Sequence, residues 1–164
     1  MRKSLAQAQL GGAYSLKSNL TILPQGSGSL PTATAIVTTN LSDIYKDYIA
    51  CLNEQGWSNL QQFVDDEVIY NGQSIGISGY RAMLERDFHE IPDLRFDIQL
   101  LISEPPYVAS RLRFDCTPKG KFLGLDVNGT RVSFTENVFY EFRAGRIFQV
   151  WSIIDKAAIE AQLR

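Results

Sequence analysis

"RVSFTENVFYEFRAGRIFQVWSIID", residues 131–155, holds two long runs rich in β-branched and aromatic residues on either side of an Ala-Gly pair. In the first run Val132, Phe134, Glu136, Val138, Tyr140 and Phe142 recur at every second position, the period of a strand whose one face is packed. The second run, Ile147 to Ile154, is apolar enough to be buried and ends on a carboxylate, Asp155. Ala144-Gly145 is turn punctuation, so the stretch reads as two long antiparallel strands followed by "KAAIEAQL", a short helix.

Upstream the same grammar continues. "LRFDIQLLIS" and "YVASRLRFDC" are further strand-like runs, set apart by Pro-Pro, Pro-Lys-Gly and Asn-Gly breaks. Before them the period changes. In "NLSDIYKDYIACLNEQG" Ile44, Tyr48, Cys51 and Leu52 recur at helical spacing, with Asn40 or Ser42 as cap and an end near Gly56. "WSNLQQFV" reads as a second short helix. "EVIYNGQSIGIS" reads as strand, Asn71-Gly72 turn and strand. "SGYRAMLERDFHEI" reads as a third helix, with Ser78 as cap and Met83, Leu84 and Phe88 toward the core. Helices first and a strand meander after them define an α+β class, with an antiparallel sheet wrapping a helical layer.

A chain of 164 residues, 45% of them hydrophobic, is sized for one core. Residues 1–38, Gly/Ser/Thr/Pro-rich around "PQGSGSLPTATAIVTT", read as a flexible arm, and 39–164 as the folded domain. A net charge of −2 argues against a nucleic-acid partner, which calls for a surplus of Lys and Arg. Cys51 and Cys116 sit in no metal-ligand or disulfide spacing, which suits a reducing cytoplasm. No run of about 20 apolar residues is present, so no membrane partner is expected. Apolar residues on both faces of the strands point to a covered outer face and hence a homodimer.

In this order and spacing, "IPDLRFDI", "KGKFLGLDVNGTRVSF" and "FRAGRIFQVWSIIDKAAIEAQL" resemble the SnoaL-like polyketide cyclases, or ester cyclase family, of the nuclear transport factor 2-like superfamily. The likeness spans about residues 42–163. It implies a cone-shaped curved antiparallel sheet with three N-terminal helices and a short C-terminal helix, and a ligand cavity at the open end. It also implies a place in secondary metabolism. The chain departs from the family at "CTPKG", where Pro118 stands at a position that many members fill with His.

Asp155 is the first candidate. In the family the Asp of W-x-x-x-D serves as general acid/base, and the resemblance carries that role here. Strand alternation places Trp151 on the same face, as a substrate contact. The competing reading makes Asp155 the cap of the helix that follows. Tyr48 stands where members often present a Tyr to the cavity, to hydrogen-bond a substrate carbonyl or enolate, or else simply packs in the core. Tyr70 and Asn71 replace an Asp-His pair of relatives and join the substrate-binding set, although Asn71 also suits the turn. Glu136 stands on the apolar face of its strand, where an unpaired carboxylate is costly, so it is either paired or lines the cavity. His89, at the end of the third helix, reads as a surface or capping residue.

Three functions follow as expectations. The first is a cofactor-independent cyclase or isomerase acting on a hydrophobic, oxygenated, polyketide- or terpenoid-like small molecule through Asp155 and Tyr48. In the second, "RLRFD" resembles the limonene epoxide hydrolases of the same superfamily, so Arg113 and Asp115 would join Asp155 in opening an epoxide. The third is a non-catalytic ligand-binding or dimeric scaffold protein.

Overall fold

The fold is given by a computed structural model that describes residues 40–164; the expected arm over residues 1–38 lies outside the described residues. Helix α1 (Leu41–Asn53) starts where the Asn40 side chain accepts the Ser42 N–H at 3.0 Å. It buries Tyr45, Tyr48, Ile49 and Leu52, an i, i+3, i+4, i+7 stripe. Its end is closed by Gln55 in the left-handed region (φ 53°), with the Gly56 N–H returning to the Cys51 carbonyl at 2.9 Å. The second expected helix is a single 3-10 segment, Trp57–Gln62, whose Leu60 is buried.

Strands β1 (Val64–Tyr70) and β2 (Gln73–Ser74) pair antiparallel across Asn71 (φ 46°) and Gly72 (φ 81°), the two left-handed residues that a tight hairpin turn requires. Helix α2 (Gly76–Glu90) follows at once. Its N-cap is Ile75 with no side-chain cap bond, so Ser78 lies inside the helix, not at its cap. Gly76 takes φ 62°, and a Cβ there would meet the Asp66 carbonyl at 3.2 Å.

β3 (Asp97–Glu104), β4 (Tyr107–Cys116), β7 (Val132–Arg143) and β8 (Arg146–Ile154) form consecutive antiparallel pairs, and the sheet order is β2-β1-β8-β7-β4-β3. One pairing, β1 with β8, is parallel. A separate two-stranded hairpin, β5 (Lys121–Phe122) and β6 (Leu125–Asp126), stands between β4 and β7, and α3 (Lys156–Gln162) closes the chain. The architecture is α+β, as the sequence implies.

Alternation along β7 holds throughout. Val132, Phe134, Val138, Tyr140 and Phe142 are buried while Asn137 and Phe139 are exposed. In β8 alternation breaks. Phe142 faces Ile147 but Glu141 faces Gln149, so Phe148 is an extra residue, a β-bulge. Past it the inward residues are Val150 and Ile154 instead of Trp151 and Ile153. The core is continuous from α1 to the sheet, with Tyr45 against Tyr140 at 5.0 Å between ring centroids and Phe114 stacked on Phe134 at 5.1 Å. Such aromatic pairs contribute about 1 kcal/mol each beyond the area they bury. Among the described residues no helix is long and apolar enough to cross a membrane.

Candidate active site

The inner face of the sheet and the helices enclose a cavity of about 260 Å³. Three elements supply most of its lining. Period-two spacing on β7 contributes Phe134, Glu136, Val138 and Tyr140. Helical spacing on α2 contributes Tyr80, Met83, Leu84, Asp87 and, just beyond the helix, Ile91. On β8 the bulge turns Val150 and Ile154 inward. Phe96, Phe114 and Phe122 complete an aromatic wall, and Tyr48 reaches in from α1.

Inside this apolar lining sits a small set of polar groups. The Ser152 hydroxyl donates to the Glu136 carboxylate, and no other side chain among the described residues bonds it. Burial raises the Glu136 pKa above the ordinary glutamate value, with a further push from the Asp87 charge and a partial counter-pull from Ser152. Asp87, half-buried on α2, is pushed up to about 6 by burial, against the pull of neighbouring Arg86 and with some help from Glu90. The hydroxyls of Tyr48 and Tyr80 lie 2.7 Å apart, both buried. One proton of that pair is spent between the two oxygens and the other is free for a ligand. Burial pushes Tyr48, Tyr80 and Tyr140 upward, so all three stay protonated donors through the neutral range.

The residues singled out in the sequence divide between cavity and surface. Tyr48, Tyr70 and Glu136 line the cavity. Asp155 lies outside it, as the N-cap of α3: its Oδ1 accepts the Ala158 N–H at 3.0 Å and the residue is exposed. Trp151 is likewise off the cavity, on the outer face opposite Phe139. The bulge at Phe148 is the physical reason, because one extra residue exchanges the faces of everything after it. Asn71 is exposed in the turn, where its amide brackets the backbone of Ser152, accepting its N–H at 2.9 Å and donating to its carbonyl at 3.3 Å.

Arg113 and Asp115 are exposed, on the face of β4 away from Leu112, Phe114 and Cys116. Asp115 pairs there with Arg131 at 2.8 Å, so these two residues form no site with the cavity. His89 is exposed in the last turn of α2. Cys51 and Cys116 are buried free thiols, and burial pushes Cys116 up to about 12.

Sequence reading passed over Asp87, Tyr80, Tyr140, Ser152 and Arg86. A signal existed for Asp87: Tyr80, Leu84 and Asp87 share one helical stripe, which places a carboxylate among core positions.

A curved, mainly antiparallel sheet cupping helices around one cavity of hydroxyls and carboxylates defines a protein of the nuclear transport factor 2-like fold. Within that class the family model for SnoaL-like polyketide cyclases matches residues 42–163, and the chain belongs to this family. A SnoaL-like polyketide cyclase from Agrobacterium tumefaciens is 52% identical, with a TM-score of 0.77 over 77% of this chain and 100% of that one. IdmH from Streptomyces antibioticus has 20% identity and a TM-score of 0.66 over 75% of this chain and 97% of its own. TsrD from Streptomyces laurentii has 22% and 0.68 over 78% and 97%. These last two share the fold. No curated protein matches the chain.

Proposed function

We propose that the chain is a cyclase or isomerase for a small hydrophobic, oxygenated substrate of polyketide or terpenoid type, working by proton transfer between carboxylates and substrate carbon. The observation that carries this reading is Glu136: a carboxylate of raised pKa, held by one serine hydroxyl, in an apolar cavity that it shares with a tyrosine hydroxyl pair. Such a group is a stronger base than an exposed glutamate.

Glu136 removes a proton from the carbon beside a substrate carbonyl, and the C–H electron pair moves into the enolate. The free proton of the Tyr48–Tyr80 pair hydrogen-bonds the enolate oxygen as its charge develops. Asp87, in its neutral acid form, then donates a proton; Glu136 afterwards releases the proton it took to solvent and Asp87 takes one up, which restores both groups. If the donated proton goes to a different carbon of the enolate system, the outcome is isomerisation. If the enolate carbon first attacks a second carbonyl, a C–C bond forms, the new alkoxide takes the proton, and the outcome is aldol ring closure. Asp155, spent on its helix cap, has no part in this scheme.

The test is deuterium uptake at the α-carbon of bound cyclic ketones in D2O, followed by NMR. The parent protein exchanges the α-proton, and Glu136→Gln binds the ketone but exchanges at least a hundredfold more slowly, given the usual worth of a general base of about 10² to 10⁴. Binding without exchange in the parent favours a ligand-binding protein instead.

The homodimer is proposed on separate grounds. Ile102, Ala109, Phe139 and Trp151 form one lateral row across four strands on the outer sheet face, with Leu100 and Ile153 beside it. Phe139 is 55% and Ile153 71% exposed, so a second copy is a fitting cover. Ile153→Lys shifts such a dimer to monomer in analytical ultracentrifugation, and a monomeric parent rules it out.

A further inference from the structure

The cavity has one charged lining residue of positive sign among the described residues, Arg86, and it stands at the rim. Arg86 is exposed, and it also lines a shallow groove that shares Tyr70 and Met83 with the cavity and runs over Ile75, Gly79 and Ala82. Its guanidinium makes no ion pair with a described residue. Glu85, the acid next to it, is taken by Arg81 at 2.7 Å. The base Glu136, by contrast, puts negative charge within the cavity.

Resting on the reading of the cavity as a proton-transfer site, we infer that Arg86 selects the substrate class: a hydrophobic ketone bearing a carboxylate at the end remote from the reacting carbon. The anionic end docks on the guanidinium at the mouth, and the apolar body lies inward toward Glu136. Three considerations fix that orientation. A carboxylate placed deep would face the Glu136 carboxylate, a like-charge juxtaposition in poorly solvated surroundings. The guanidinium fork matches a carboxylate with two parallel hydrogen bonds. Along α2, six residues separate Tyr80 from Arg86, a rise of about 9 Å at 1.5 Å per residue. That is on the order of the length of two fused six-membered rings, so one molecule can reach both the hydroxyl pair and the guanidinium. Methylation or amidation of the acid removes the charge that Arg86 reads, and the groove beyond it offers the neutral ester only the uncharged Tyr70, Asn71 and Gln73 as polar partners.

The experiment measures the binding of three probes to the full chain by calorimetry: a tetralone carboxylate, its methyl ester, and the aminomethyl tetralone. The parent binds the acid about fivefold more tightly than the ester, the upper end for a partly exposed ion pair, and the preference shrinks with added salt. Arg86→Gln, a conservative change at an exposed position, abolishes the preference while ester affinity stays put. Glu136→Gln retains the preference even though it loses α-deuterium exchange, so failure of the proton-transfer reading and failure of this one are separable. Equal or tighter binding of the ester, tighter binding of the amine, a preference that survives Arg86→Gln, or no binding of the acid each overturns the inference.

Discussion

Replacing Asp87 by Asn makes the protein more stable at neutral pH and leaves it unchanged in mild acid. The carboxyl titrates at about 6 in the folded chain against an ordinary 3.8, chiefly because burial disfavours its charge. The sign follows from linkage. Between roughly pH 3.8 and 6 the folded state holds more protons at this position than the unfolded state, so the Asp87 contribution to stability falls as pH rises through that window and is flat above it. A gap of about 2 pH units is worth up to about 3 kcal/mol at 1.36 kcal/mol per unit. Asp87 is half-buried, and solvent screening at the cavity mouth cuts that figure to about 1.5 kcal/mol. Urea denaturation of parent and Asp87→Asn at pH 4 and pH 7.5 therefore gives nearly coincident midpoints in acid and, at neutral pH, a later midpoint for the variant. Taking the difference removes carboxylates with the opposite dependence, such as Asp93 and Asp115, whose partners lower their pKa values. A difference independent of pH, or one that favours the parent at pH 7.5, refutes the reasoning, because the aspartate would then be either fully hydrated or ion-paired in the fold.

Asp155→Ala costs about 1 kcal/mol in urea midpoint through loss of the α3 cap, Asp155→Asn costs little, and neither changes α-deuterium exchange; loss of exchange in the Asn variant restores the acid/base role to this residue. Tyr80→Phe strands the buried Tyr48 hydroxyl and destabilises by about 1 to 3 kcal/mol, whereas Phe at both positions costs less than the sum of the singles, a coupling that a double-mutant cycle reads directly. Arg143→Ala lowers stability by loosening β1 from the β7–β8 turn, since Arg143 binds Asp65 at 2.8 Å and Glu67 at 2.9 Å. Those bonds hold the Asp65 pKa low, after the Glu67 backbone N–H, so the Asp65 contribution is present above the ordinary aspartate range and is lost as pH falls through its depressed value. Acid denaturation followed by circular dichroism accordingly shows a gap between Arg143→Ala and parent that is present at pH 7 and narrows once the pH has fallen below the ordinary aspartate range.

The elements that sequence reading placed well are those in which one periodicity dominates. On β4, Arg111, Arg113 and Asp115 alternate strictly with Leu112, Phe114 and Cys116, so the burial pattern already assigns the charges to one face; the structure puts that face outside. On β7 the same alternation sets Glu136 among inward residues, and it does line the cavity. The Asn71-Gly72 pair marks its turn because few residues tolerate two successive left-handed conformations. Asp87 was hidden by its company. "ERDFHE" looks like a solvated helix end, and only the stripe shared with Tyr80 and Leu84 betrays that one of these charges points inward.

The strand β8 fails differently, and the failure moves the candidate site. Ile147, Phe148, Val150, Trp151, Ile153 and Ile154 put apolar side chains on both faces, so no burial pattern in the sequence distinguishes one register from the other. The decision comes from tertiary structure. Phe148 is the extra residue, and the Arg143 guanidinium lies 3.9 Å from the centre of its ring while the same arginine is anchored to Asp65 and Glu67 on β1. With the bulge pinned there, Ser152 comes level with Val138 and within reach of Glu136, while Trp151 and Ile153 turn to the outer face. One inserted residue thus accounts for three observations together: the carboxylate at the strand end is free to cap α3, the apolar row on the outside is complete, and Glu136 has its hydroxyl partner. The chemistry of the cavity and the surface offered to a second copy are consequences of the same break in alternation.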